Sequence, residues 1–160
     1  ANNYGNLCQR VLAFCEKNAN LKVPDIDNLT DDDSFILNQY SKHYDDLINY
    51  SDNQDVNSYI NFVVEQLFSA NKYFNDQEPW KKKNDKPRMN TIIYVALELI
   101  RKVTILLYPI IPDSSLKVLG IFGLNEDHIK FETIKENDYL KKDLKLNKLN
   151  ILFKKIDKND

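Results

Sequence analysis

Asn2, Asn6 and Arg10 stand four residues apart, a spacing that drifts only about 80° around a helix in total and so forms one strip of hydrogen-bonding side chains. Amides and a guanidinium are the groups a nucleobase edge requires. An Arg fork donates to the N3 and O2 of a cytosine, and an Asn oxygen accepts from its N4 amino group. An ordinary solvated helix face has the same composition. Gly5 lies within the strip, however, and a glycine inside a helix costs about 1 kcal/mol and usually has a packing or close-approach reason. The one tryptophan, Trp80, follows Pro79 and precedes Lys81, Lys82 and Lys83, with Lys86 and Arg88 close behind. An indole there has two fates. It folds back as a lid on the helices, or it offers a flat face to an unstacked base, a contact worth roughly 1–3 kcal/mol. The basic residues around it are either a solvated loop or a set of phosphate contacts.

The formal net charge of −2 counts against a nucleic-acid partner, because phosphate neutralisation usually shows as a basic domain. The clustering of basic residues beside the tryptophan answers that objection locally. Nothing points to catalysis: there is no glycine-rich phosphate loop, no nucleophile with a base, and no carboxylate pair that stands out among 24 acidic residues,. Cys8 and Cys15 fall seven apart, about 10 Å along a helix and too far for a disulfide, so they read as small buried residues of a reduced protein. His43 and His128 have no second His or Cys at helical spacing, so each reads as a surface residue and not as a metal ligand. The apolar stretch from Thr104 to Ile111 is short and broken by Pro109, so no membrane span is expected and the chain reads as soluble and cytoplasmic.

The elements that must position these residues are helices. Three glycines in 160 residues, against a usual share of about 7 percent, leave little room for tight hairpins. Tyr4, Leu7, Val11, Leu12, Phe14 and Cys15 mark a first helix over 2–17, interrupted by Val23-Pro24-Asp25,. Thr30 or Asp31 offers an N-cap with Asp32 and Asp33 in the first turn, better read as capping than as a metal site. Phe35, Ile36, Tyr40, Tyr44, Leu47 and Ile48 then form a second stripe,. Val56, Tyr59, Ile60, Val63, Val64, Leu67, Phe68 and Ala70 define a third helix, stopping near Glu78 before Pro79,. A fourth starts at Pro87, is apolar around most of its circumference and should lie at the centre,. A short fifth, capped by Asp113 or Ser114, closes near Gly120 or Gly123,. The fold expected is all-α: one domain over 1–160, an antiparallel bundle of about five helices over roughly 1–124, with an extended C-terminal tail over 125–160 that packs back and frays at its end.

Taken together, these segments resemble the anticodon-binding domain of bacterial methionyl-tRNA synthetases. Ala1-Asn2-Asn3-Tyr4-Gly5-Asn6-Leu7 with Arg10-Val11-Leu12 and Phe14 is similar to that family's opening helix, continued by Asn18 and Val23-Pro24. Ser69-Ala70-Asn71-Lys72-Tyr73 with Glu78-Pro79-Trp80 resembles its third helix and tryptophan loop. Glu98-Leu99, Arg101, Leu107-Tyr108-Pro109 and Ile111-Pro112 fit the fourth helix and its exit, and Leu152-Phe153 is a weaker echo. The chain departs from the pattern in the basic run after Trp80 and at Lys154-Lys155, where the family often has Pro-Arg.

The resemblance implies recognition of a CAU anticodon, with Asn6 and Arg10 on the first anticodon base, Trp80 stacking on the loop and Asn2 on the same surface. Lys81, Lys82, Lys83, Lys86 and Arg88 are the candidate phosphate contacts. It also implies a parent methionine–tRNA ligase whose catalytic domain, with its HIGH-like and KMSKS-like signatures, is missing here. ATP, methionine and any zinc would belong to that part, leaving this piece without catalytic residues, cofactor or metal and inactive alone. The opening on Ala1 instead of a methionine suits a piece of a longer protein. The expected partners are the tRNA-Met anticodon stem-loop and the enzyme's own catalytic domain, the expected state a monomer. Two alternatives stay open: the anticodon domain of another class I synthetase, and a helical protein-interaction module.

Overall fold

Prolines and short acidic residues set the helix boundaries. The computed structural model describes residues 2–148, residue 2 through its backbone alone. The Asn2 side chain, the Leu152-Phe153 echo, Lys154-Lys155 and the expected fraying all lie outside the described residues. Six α-helices are described: α1 (Asn2–Ala19), α2 (Asp31–Lys42), α3 (Tyr44–Asp52), α4 (Val56–Gln77), α5 (Lys86–Leu107) and α6 (Pro112–Ile121). Single 3-10 turns cover Pro79–Lys81, Glu126–His128 and Phe131–Lys135.

The fold is the all-α bundle the composition called for, with α5 at its centre. Every residue of 91–107 is buried, and α1, α2, α4 and α6 all pack on it. The Tyr4 hydroxyl meets the Thr104 hydroxyl at 2.6 Å, and the Tyr59 hydroxyl donates to the Leu106 carbonyl at 2.6 Å. The starts of α1 and α4 thus both sit at the end of α5. These two helices therefore run parallel to each other and antiparallel to α5, which lays α1 and α4 side by side with their polar faces adjoining.

Three local expectations are corrected. The second stripe is two helices, because the chain bends at His43 (φ −103°, ψ 12°), whose ring packs on Phe62 at 5.5 Å. No Gly or Pro marks this bend, so it left no signal in the sequence. The bend brings Leu47 into the core alongside Ile36, Leu37 and Tyr40, whereas Phe35 is 66% exposed. On α4 the stripe is rotated: Phe62, Gln66, Tyr73 and Phe74 are buried, while Val56, Val64 and Phe68 face solvent. On α6, Pro112 itself is the first helical residue and Ile111 precedes it without a side-chain cap, so neither Asp113 nor Ser114 caps. Pro at this position loses nothing, since its missing N–H has no partner within the helix.

Thr30 does cap α2, and Asp33 closes a capping box with it. Asp33 does more than cap. Wholly buried, it accepts from the Tyr73 hydroxyl at 2.6 Å and from both Arg88 Nη atoms at 2.6 and 3.0 Å, locking α2 to α4 and α5. Burial raises its pKa, but the hydrogen bonds from Arg88, Tyr73 and Thr30 outweigh that and hold it below the usual carboxylate range,. Cys8 and Cys15 are buried free thiols, and burial pushes Cys15 up to about 11.

The tail packs back as expected, and the reason was not visible beforehand. Glu98, Arg101 and Lys102 of α5 are wholly buried and bond to the returning chain. Glu98 Oε2 accepts from the Leu140 N–H at 2.7 Å, and Arg101 donates to the Glu136 carbonyl at 2.8 Å and stacks over the Tyr139 ring at 4.5 Å. Lys102 donates to the Leu37 carbonyl at 3.0 Å and to Asn137 Oδ1, tying α2 and the tail to one ammonium. Further on, residues 143–146 pair with 21–23, including Val23 N–H to the Leu144 carbonyl at 2.9 Å and Leu146 N–H to the Leu21 carbonyl at 2.9 Å.

Candidate nucleic-acid interface

The polar strip of α1 faces a groove of about 590 Å³, lined by Asn3, Asn6 and Arg10 on one side and Phe68, Asn71 and Asn75 of α4 on the other. Two bonds cross it. Asn71 Nδ2 donates to the Asn3 carbonyl at 3.2 Å, and further along both helices Arg10 donates to Asn75 Oδ1. Lys72 and Asp76, on its rim, pair with each other and cancel their charges locally. Asn6 is exposed and Arg10 half-buried, so both hold hydrogen-bonding groups at the surface.

The tryptophan reaches the strip through one ring. Phe74 is buried on α4, and the Arg10 guanidinium lies over it at 5.4 Å. Trp80 meets the same ring at 6.0 Å with planes 68° apart, and Phe14 meets it at 6.1 Å. Trp80 is carried there by a tight reversal. Glu78 adopts a left-handed conformation (φ 48°, ψ 59°), and Pro79 starts the 3-10 turn. That strained residue, without glycine's freedom, fixes where the indole lands. Neither of the two fates describes it alone: Trp80 packs against Phe74 yet stays 41% exposed.

The basic residues divide. Lys81 pairs with Glu78 at 2.9 Å, and Lys82 donates to the Gln77 carbonyl, satisfying the end of α4,. Lys83 and Lys86 are exposed. Arg88 stands apart from the others: its fork is committed to Asp33 and, at 2.8 Å, to Gln77 Oε1, with only 18% of its side chain exposed, which makes it an internal tie between helices. Sequence reasoning missed Phe68, Asn71 and Asn75 as groove residues. The four-residue spacing of Asn71 and Asn75 was the available signal. Among the described residues no group of three or more His, Cys, Asp or Glu is arranged to hold a metal ion, and no helix is long and apolar enough to cross a membrane.

Comparison with known proteins gives this surface a context. Residues 23–160 match the family model described as the anticodon binding domain of methionyl tRNA ligase. The methionine–tRNA ligase of Brucella suis is 35% identical over 135 residues, which is 84% of this chain and 26% of that protein. That of Mycobacterium leprae is 31% identical over 139 residues, again 84% of this chain and 26% of the relative. The crystal structure of free-state Mycobacterium tuberculosis methionyl-tRNA synthetase superposes with a TM-score of 0.86 at 28% identity, covering 94% of this chain and 31% of that one. The chain thus spans about a quarter of the length of these curated relatives. The family match starts downstream of Asn6 and Arg10. With the family model covering well over half of its length, the chain belongs to the anticodon-binding domain family of methionyl-tRNA ligases.

Proposed function

We propose that this chain binds the anticodon stem-loop of tRNA-Met and reads its CAU sequence through Asn6, Arg10 and Trp80, with Asn2 on the same surface. The support is the Phe74 ring, which the Arg10 guanidinium and the half-open Trp80 indole both contact. Arg10 has five N–H donors. One is engaged by Asn75, and others remain for the N3 and O2 of the first anticodon base while Asn6 accepts from its N4 amino group. Trp80 supplies the stacking surface that an unpaired loop base needs. Lys83 and Lys86 give the backbone positive charge beside it, with Lys81 and Lys82 contributing less because each already has a partner. The parent protein would be an ATP-dependent methionine–tRNA ligase acting in the cytoplasm. Its catalytic domain would bind ATP and methionine, and this piece, monomeric and without a cofactor of its own, would be inactive alone.

Because Trp80 is the sole tryptophan, its fluorescence reports on the site directly. Adding a CAU stem-loop at low salt is expected to quench it, with the effect shrinking as salt rises, since phosphate contacts release counterions. Equal quenching by unrelated anticodon loops would shift the assignment to another class I synthetase. No quenching at all would favour a protein partner for the indole.

A further inference from the structure

Gln66 of α4 is only 7% exposed, yet its side-chain amide has no hydrogen-bond partner among the described residues. Buried amides are almost always paired, so the fold leaves this one for something else. It stands where two grooves meet, on the face of α4 turned away from α1. One groove, of about 500 Å³, lies between α2 and α4, and the other, of about 290 Å³, continues past His43 to Ser58. Gln39, Glu65 and Gln66 line both, which makes them one trough. Between Ser58 and Gln77 it follows α4 for about 28 Å, the reach of about eight extended residues.

The lining is rich in acceptors. Asp32 and Glu65 are exposed carboxylates with no ion-pair partner among the described residues, whereas Lys72 is neutralised by Asp76. The Gln39 Nε2 donates to the Phe35 carbonyl at 3.1 Å, which orients the amide and leaves its Oε1 as an acceptor. Phe35 adds an aromatic ring 66% open to solvent. Such a trough repels phosphates and suits a guanidinium, whose fork donates to carboxylate and amide oxygens while its face stacks on a ring. We infer that it docks an extended, arginine-bearing segment of a partner protein. A second copy of this chain is not the source: its three arginines already hold Asn75, Asp33 and Glu98. The inference is independent of the anticodon reading, because it uses a different face of α4.

The probe is an octapeptide of alternating arginine and serine, blocked at both ends, titrated into the isotope-labelled chain at low salt. Two analogues replace every arginine by lysine or by citrulline, the neutral isostere. The arginine peptide is expected to shift the side-chain amide signals of Gln66 and Gln39 together and to leave Asn6 and the Trp80 indole unmoved. Gln66→Leu should weaken binding roughly 10- to 150-fold, as for a lost hydrogen bond to a charged group. Glu65→Gln should cost roughly 2- to 5-fold, the scale of an exposed ion pair, and Phe35→Leu a similar factor through the lost ring face. The lysine and citrulline peptides should each bind at least roughly 5-fold more weakly. Glu65 and Phe35 are exposed, so their variants test the site even if Gln66→Leu fails to fold. No shift at Gln66 with millimolar arginine peptide overturns the inference. So does equal binding by Glu65→Gln and Phe35→Leu, or equal binding of the lysine or citrulline peptide. Shifts confined to Asn6, Arg10 and Trp80 would place the peptide in the other groove and overturn it as well.

Discussion

Replacing Glu98 by Ala is expected to destabilise the domain by about 3–5 kcal/mol, the cost of stranding a buried charge. Glu98 and Arg101 are both fully buried one turn apart on α5, joined at 2.7 Å through Nη2 and 3.2 Å through Nε. Without the carboxylate, the Arg101 guanidinium keeps a backbone carbonyl, a distant Thr133 hydroxyl at 3.5 Å and the Tyr139 ring. None of these carries a compensating charge. The Leu140 N–H also loses its acceptor, which adds a buried unsatisfied donor. Urea unfolding measures the loss, and Glu98→Gln, which retains an acceptor oxygen, should lose less. The damage should spread through the tail: amide exchange over 136–146 should rise in the folded state, because Glu98 and Arg101 supply charged ties from α5 to that segment. A loss below about 1 kcal/mol, as for an exposed pair, would mean that the tail is held by its other ties, through Lys102, Tyr94 and the pairing with 21–23, and by its apolar residues Leu140 and Leu146.

Replacing Arg10 by Ala is expected to weaken binding of the CAU stem-loop by about 1–3 kcal/mol and to remove most of the preference for C at the first anticodon position. The preference should collapse because the fork, and not general attraction, distinguishes C from U. Arg10→Lys should restore little, since an ammonium cannot present two parallel donors. Stability should change only modestly, because Arg10 is half-buried and its partners are a surface amide and one ring face. Affinities for four loops differing only at the first anticodon base measure the effect. An unchanged ratio between C and the other bases in Arg10→Ala would remove Arg10 from base reading and leave it as a tie between α1 and α4.

Helix positions were legible because caps and prolines act locally. Thr30, the Pro79 stop and the start of α5 at Lys86-Pro87 all fall where the sequence put them. What failed depends on tertiary packing. The bend at His43 has no breaker residue, and the α4 stripe fits two rotations until α1 and α5 choose one. That choice turned Phe68 out and Phe74 in. The buried charges of α5 were hidden for the same reason: a Glu-x-x-Arg pair on an apolar helix shows no buried partner until a loop some 35 to 42 residues away returns to cover it. For the site, the Asn6–Arg10 strip and the Trp80 loop were readable as residue types. Their meeting across Phe74 was not, because it depends on α1 and α4 running parallel. The internal role of Arg88 was hidden because it belongs to a basic run in sequence, while in space it pairs with Asp33.

Amide and indole chemical shifts of the isotope-labelled chain, followed as a CAU anticodon stem-loop is added, test the convergence of the polar strip and the tryptophan most directly. The largest changes are expected at Asn6, Arg10, Asn75 and the Trp80 indole N–H, moving together with one dissociation constant. Changes confined to α6 or the tail, with Arg10 and Trp80 still, would contradict it.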